Sequence, residues 1–112
     1  MTAQSATAVL VNHDSGARLG PLLDRLEREV GSVIVVDNAS TDGSEAGADG
    51  RAAVTVIRNP TNRGFAAAAN QGARVATGDW IVFVNPDVVL HHGDVARLLA
   101  DVPPGAAAVA PG

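Results

Sequence analysis

The chain has 112 residues, 12 acidic against 8 basic, and a net charge of −4, with no cysteine and only 3 % aromatic residues. That length admits one domain, able to bury roughly 60–70 % of its unfolded-chain surface, around a core that is aliphatic and rich in Ala and Gly. The absence of cysteine excludes disulfides, thiolate catalysis and Cys-based zinc sites, and the acidic balance argues against a nucleic-acid partner, which calls for a basic face.

Taken in chain order, Met1 to Ala6 lacks the basic region and apolar stretch of a signal peptide, and no segment approaches the ~20 apolar residues of a membrane span. The expected location is cytoplasmic, with the inner face of the membrane as the alternative. Thr7 to Val11 reads as a first strand ending in the turn-rich Asn12-His13-Asp14-Ser15-Gly16. Leu19, Leu22, Leu23, Leu26 and Val30 then recur at helical spacing, with Arg25, Glu27, Arg28 and Glu29 on the outer face, Pro21 in the first turn and Gly31 as the stop. Ser32 to Val36 is the second strand. Ser44 to Gly50 reads as a loop with a weak helical turn, and Ala53 to Arg58 as a third strand. The spacing predicts a helix over Gly64 to Ala76 whose small face, Ala68, Ala69, Gly72 and Ala76, suits close packing on a sheet. Asp79 to Val84 is the fourth strand. A last helix opens at His92-Gly93-Asp94 and ends at Pro103-Pro104, and Ala106 to Ala110 begins a fifth strand.

Strands alternating with helices imply right-handed parallel crossovers and a doubly wound, Rossmann-like α/β sheet. With the strand order 3-2-1-4, the switch point lies between the first and fourth strands, where such folds bind ligands. Asn12, His13 and Asp14 would then face Asn85 and Asp87 across one crevice, flanked by Asp37.

Each rim residue has two readings. Asp37 either accepts hydrogen bonds from a ribose or a base, or joins Ser40, Thr41 and Asp42 in satisfying loop amides. Asp87, after Asn85-Pro86, either holds a divalent cation through one carboxylate or completes an ordinary turn. Arg63 either meets a phosphate beside the next helix start or is a solvated loop residue. His13, His91 and His92 are metal ligands or, more simply, structural and solvent-facing groups. A dinucleotide site is disfavoured because Asn12-His13-Asp14-Ser15-Gly16 lacks G-x-G-x-x-G.

Three ordered motifs carry a resemblance: Val33-Ile34-Val35-Val36-Asp37-Asn38-Ala39-Ser40-Thr41-Asp42-Gly43-Ser44; Asn62-Arg63-Gly64-Phe65-Ala66-Ala67-Ala68 with Asn70 and Gly72; and Gly78-Asp79 with Val82-Phe83-Val84-Asn85-Pro86-Asp87. From Ala8 onward the chain resembles glycosyltransferase family 2 of the GT-A fold, in its rhamnosyltransferase-like branch, where N-P-D replaces the commoner D-x-D. The resemblance implies a nucleotide-diphosphosugar donor site, with Asn12 and Asp37 at the nucleoside and Asn85 near the ribose or metal. Asp87 would be on Mg²⁺ or Mn²⁺ bridging the diphosphate, and Asn38, Ser40, Arg63 and Asn70 complete the substrate-binding set. It also implies a glycan or lipid-linked acceptor.

Two departures shape the expectation. Asn85 is neutral where the commoner motif has a carboxylate, which lowers the expected metal affinity. The family continues into an acceptor half that supplies a catalytic base, and Glu27, Glu29 and Glu45 are poorly placed to replace it. The expected protein is therefore a single nucleotide-sugar-binding domain over residues 1–112, incomplete at its C-terminus, acting in inverting, metal-assisted transfer or binding the donor without transferring it. Its open sheet edge favours self-association. A sugar-phosphate nucleotidyltransferase is the third reading, and it would be expected to carry a phosphate-loop lysine that this chain lacks.

Overall fold

The computed structural model describes residues 6–87, 90–100 and 108–109. In order these form β1 (Ala6–Asn12), α1 (Leu19–Glu29), β2 (Ser32–Asn38), β3 (Val54–Asn59), α2 (Phe65–Val75), β4 (Trp80–Val84), α3 (Asp94–Ala100) and β5 (Ala108–Val109). Short 3-10 turns over Gly16–Arg18 and Ser44–Ala48 follow β1 and β2.

The sheet order is β3-β2-β1-β4-β5, and every neighbouring pair is parallel. The doubly wound α/β fold is therefore present, with its reversal of strand order between β1 and β4. The register sets Asn12 beside Asp37 and Asn38 beside Asn59. All three strand ends thus deliver polar groups to one rim.

Side chains alternate across a strand, and the two faces of this sheet have separate cores. Ala6, Ala8, Leu10, Val33, Val35, Val82 and Val84 pack under Leu19, Leu22, Leu23 and Leu26 of α1 and Val95 and Leu99 of α3. Each fully buried leucine of α1 contributes on the order of 1.5–3 kcal/mol of burial. Val9, Ile34 and Val36 face α2 instead, where Ala68 is their buried partner and Ile57, Ile81 and Phe83 are half-buried. The expected small face of α2 is realised at Ala68, Ala69 and Gly72. A Cβ built on Gly72 would lie 2.6 Å from Val9 Cγ1 and 3.1 Å from Val36 Cγ2, so the helix backbone rests directly on the sheet.

Three local readings change. Gly31 is not the stop of α1: Val30 already turns extended and buries its side chain, and Gly31 N–H donates to Ala6 C=O, so the sheet ends the helix. Glu29 is not on the outer face but buried, its Oε1 accepting the Gly93 N–H at 2.6 Å and so tying α1 to the start of α3. The weak turn expected after Ser44 is a 3-10 turn, joined to α1 through Arg51, whose guanidinium reaches Asp24 and Glu27. The end of α3 expected at Pro103-Pro104 lies outside the described residues.

Candidate functional site

A crevice of about 500 Å³ opens at the carboxyl rim between β1 and β4, lined by loops from four strands. The loop after β1 contributes His13, Asp14, Ser15 and Arg18, β2 contributes Asn38, the segment before α2 contributes Asn62 and Gly64, α2 contributes its first residue, Phe65, and the turn after β4 contributes Asn85, Pro86 and Asp87. This is the position that the reversal of strand order selects for ligands.

Beneath the crevice lies a buried polar knot. Asn12 is fully buried on the α1 side, and its Nδ2 donates to Asp37 Oδ1 at 2.9 Å, Ser44 Oγ at 3.0 Å and Ser40 Oγ at 3.1 Å. Asp37 Oδ1 also accepts from Ser40 Oγ at 2.6 Å, and Oδ2 accepts from the Ser40 N–H. The buried carboxylate thus has its hydrogen-bond partners on its own loop and on β1.

The loops after β1 and β2 are stapled by two carboxylates working in opposite directions. Asp14 Oδ1 accepts the N–H groups of Thr41 and Asp42, while Asp42 accepts those of Gly16 and Ser44. The hydrogen bonds from Ser44 hold the Asp42 carboxyl below the usual aspartate range. Asp14 and Ala39 both take left-handed backbone conformations, at φ +50° and +59°, uncommon for residues with a side chain. The staple is what holds them there. His13 Nδ1 meets the Asn38 carbonyl at 2.8 Å, adding a third tie.

Asn38 faces the α2 side, one residue from Asp37 and opposite to it in direction. Its Nδ2 donates to Gly64 C=O and its Oδ1 accepts the Arg63 N–H, which seats the entry of α2 against β2. Asn59 and Gln71 exchange paired amide bonds at 2.9 Å, and Asn59 also donates to Asn38. Asn62 Oδ1 accepts the Gly64 N–H, at a residue whose φ of +82° suits glycine.

Across the crevice, Asn85 Oδ1 accepts the Asp87 N–H at 2.9 Å, fixing the turn and with it the Asp87 carboxylate. Arg18 Nη1 donates to Asp87 Oδ1 at 2.5 Å, in a pair with both side chains more than 60 % exposed.

Of the residues expected at the site, Asn38, Asn85 and Asp87 line the crevice; Asn12, Asp37 and Ser40 form the floor beneath it. Arg63 and Asn70 are exposed and stand outside the lining, Arg63 contributing its backbone N–H to Asn38. Arg18, Asn62 and Phe65 are lining residues that side-chain chemistry alone did not single out. Asn62 and Phe65 were within reach, since they flank the Gly64 helix start, whereas nothing in the pattern of α1 marks Arg18.

A metal at this rim has one carboxylate to hold it. Among the described residues no group of three or more His, Asp or Glu side chains converges, and Asp14 is committed to backbone amides. The donor set does not make an all-protein cage, but it fits the manner of Mg²⁺, bound through one carboxylate with phosphate oxygens and water. No helix among the described residues is long and apolar enough to cross a membrane.

The description of glycosyl transferase family 2 matches residues 7–112 of the chain. A protein of Haemophilus influenzae (strain ATCC 51907 / DSM 11121 / KW20 / Rd) named "Uncharacterized glycosyltransferase" is 35 % identical over 82 residues, which are 70 % of this chain and 28 % of that protein. The chain therefore spans less than a third of that relative's length.

Proposed function

This chain belongs to glycosyl transferase family 2, and from that we propose that the rim crevice is the donor site of a transferase acting on a nucleotide-diphosphosugar. The observation that carries the proposal is the lining itself: amides from three loops, one aromatic ring and one carboxylate held only by an exposed ion pair meet at the switch point of the sheet. Phe65, Val11, Asn62 and the His13–Asn38 tie suit the nucleoside end, and Arg18, Asn85 and Asp87 suit the diphosphate. Asn12, Asp37 and Ser40 support the nucleoside loop from below, Arg63 lies just before the α2 start, and Asn70 is exposed midway along α2, where a larger sugar would have to extend to reach it. Asp87 would hold Mg²⁺ or Mn²⁺ against the diphosphate, and that ion, when bound, offsets the charge developing on the leaving group. Inverting transfer to a glycan or lipid-linked acceptor, with a deoxysugar such as rhamnose for a cell-wall polysaccharide, is the finer form of the proposal. The N-P-D turn supports it.

A second reading is binding without transfer. It is favoured by the carboxylates of the described crevice, since Asp14 is held by two amides and Asp87 pairs with Arg18, which leaves neither placed to deprotonate an acceptor hydroxyl. A thermal-shift series with dTDP-, UDP- and GDP-sugars, with and without Mn²⁺, tests the donor site, because a ligand of the folded state raises its apparent stability. Stabilisation by one nucleotide class, deepened by Mn²⁺, is expected; no shift with any of them would remove the donor reading. Release of nucleoside diphosphate in the presence of an added acceptor, with a new glycosidic product, separates transfer from binding alone.

A further inference from the structure

Arg18 stands at the end of the 3-10 turn after β1 and lines two cavities at once: the rim crevice and a smaller one of about 320 Å³ bounded by Pro21, Leu22, Arg25 and Leu90. Its guanidinium sits on Asp87, the carboxylate to which the donor reading assigns the divalent ion. We infer that Arg18 is the crevice's own cation for the donor diphosphate, stored on Asp87 and passed to the phosphates as they enter, which would leave Asp87 open to a divalent ion. The inference rests on the donor reading above.

Three observations carry it. The first is competition: a guanidinium within 2.5 Å of Asp87 Oδ1 occupies the position from which a divalent ion would bind the same oxygen. The second is lability, because both side chains are largely exposed, at 68 % and 63 %, and ion pairs so open to water are weak. The third is anchoring. Gly16 N–H is held by Asp42 and Arg18 N–H by the Ser15 carbonyl, so the backbone stays in place while the long side chain changes partner. A diphosphate entering beside Asp87 would otherwise meet a like charge, and the planar fork of an arginine matches phosphate oxygens.

The test uses the purified chain, Arg18→Gln, and Arg74→Gln as a control that removes the same charge from the last turn of α2, at the other end of the molecule. Calorimetry in EDTA measures inorganic pyrophosphate, and Mn²⁺ electron paramagnetic resonance measures the metal alone. Circular dichroism checks that each variant is folded. Arg18→Gln is expected to weaken pyrophosphate about tenfold, the loss of a charge-assisted hydrogen-bond pair, and Arg74→Gln to leave it within about twofold. Mn²⁺ alone should bind Arg18→Gln several-fold more tightly than wild type, since the competitor for Asp87 is gone. Pyrophosphate affinity equal in wild type and Arg18→Gln, wild type that does not bind pyrophosphate, or Mn²⁺ affinity unchanged by the substitution would each overturn the inference. UDP, GDP and dTDP with Mn²⁺ then separate the two levels: binding that persists keeps the donor site and removes only this role of Arg18, and binding lost throughout removes the donor site as well.

Discussion

Successive residues of a strand face opposite sides of a sheet, so Asp37 and Asn38, adjacent at the end of β2, serve different layers. Asp37 belongs to the buried knot with Asn12 and Ser40, and Asn38 seats the start of α2 under the crevice. Asp37→Ala should therefore lower stability by about 2–3 kcal/mol, because it deletes a buried acceptor shared by two donors, and any loss of nucleotide affinity should follow from the loosened loop. Urea unfolding beside a binding titration checks this; a fully stable variant that no longer binds would instead make Asp37 a direct ligand. Asp42 makes a pH prediction. Its folded-state pKa is depressed by Ser44, so its contribution is complete above the unfolded aspartate value of about 3.9 and is lost as pH falls through the lower folded value. The protection of the Gly16 and Ser44 amides, with the intrinsic pH dependence of exchange removed, should fall in that acid window and not between pH 5 and 7. The sequence marked both loops as rim loops from their polar runs after apolar strands. Which side chain lines the crevice and which lies below it was not legible, because that depends on the pairing of Asn12 with Asp37 across 25 residues. Arg18 was hidden for a similar reason: its partner Asp87 is 69 residues away.

At the scale of elements, α2 is the one whose packing was most readable, since a run of alanines with Gly72 on one face has little use except close approach. Gly72→Ala tests how close that approach is. Helix propensity alone would favour the alanine by roughly 1 kcal/mol. Its Cβ would lie within 2.6 Å of Val9 Cγ1, however, and overpacking of a core costs typically 1–3 kcal/mol, so the variant is expected to be net destabilised by urea or thermal melting. A more stable variant would mean that Val9 and Val36 can give way. The end of α1 was less readable. Gly31 looked like a helix stop, yet Val30 leaves the helix first because its side chain belongs to the core and the next N–H to β1. Glu29 fitted the outer stripe of α1 by spacing alone. Its backbone partner at Gly93 comes from a loop 64 residues later, a relation that helical periodicity does not carry.

For the molecule as a whole, the alternation of strand and helix gave the parallel, doubly wound class; the order 3-2-1-4 was one of the few arrangements that right-handed crossovers allow, and it is the one found. The two faces that result are unequal. α1 and α3 cover one, whereas α2 over the other leaves Ile57, Ile81 and Phe83 half-buried, with β3 at the edge of the order. Such a face and edge favour association, and sedimentation should show the mean mass rising with concentration; a monomer throughout would remove that expectation. The alternation at the end of β2 also limits how this chain can vary in length. One residue added to or removed from that strand would turn Asn38 toward α1 and Asp37 toward the ligand side, so that floor and lining trade places with no change in composition. Insertions and deletions should therefore be rejected in β2 yet accepted at the opposite rim, for instance at the exposed Ala52 before β3, where no crevice residue depends on the count.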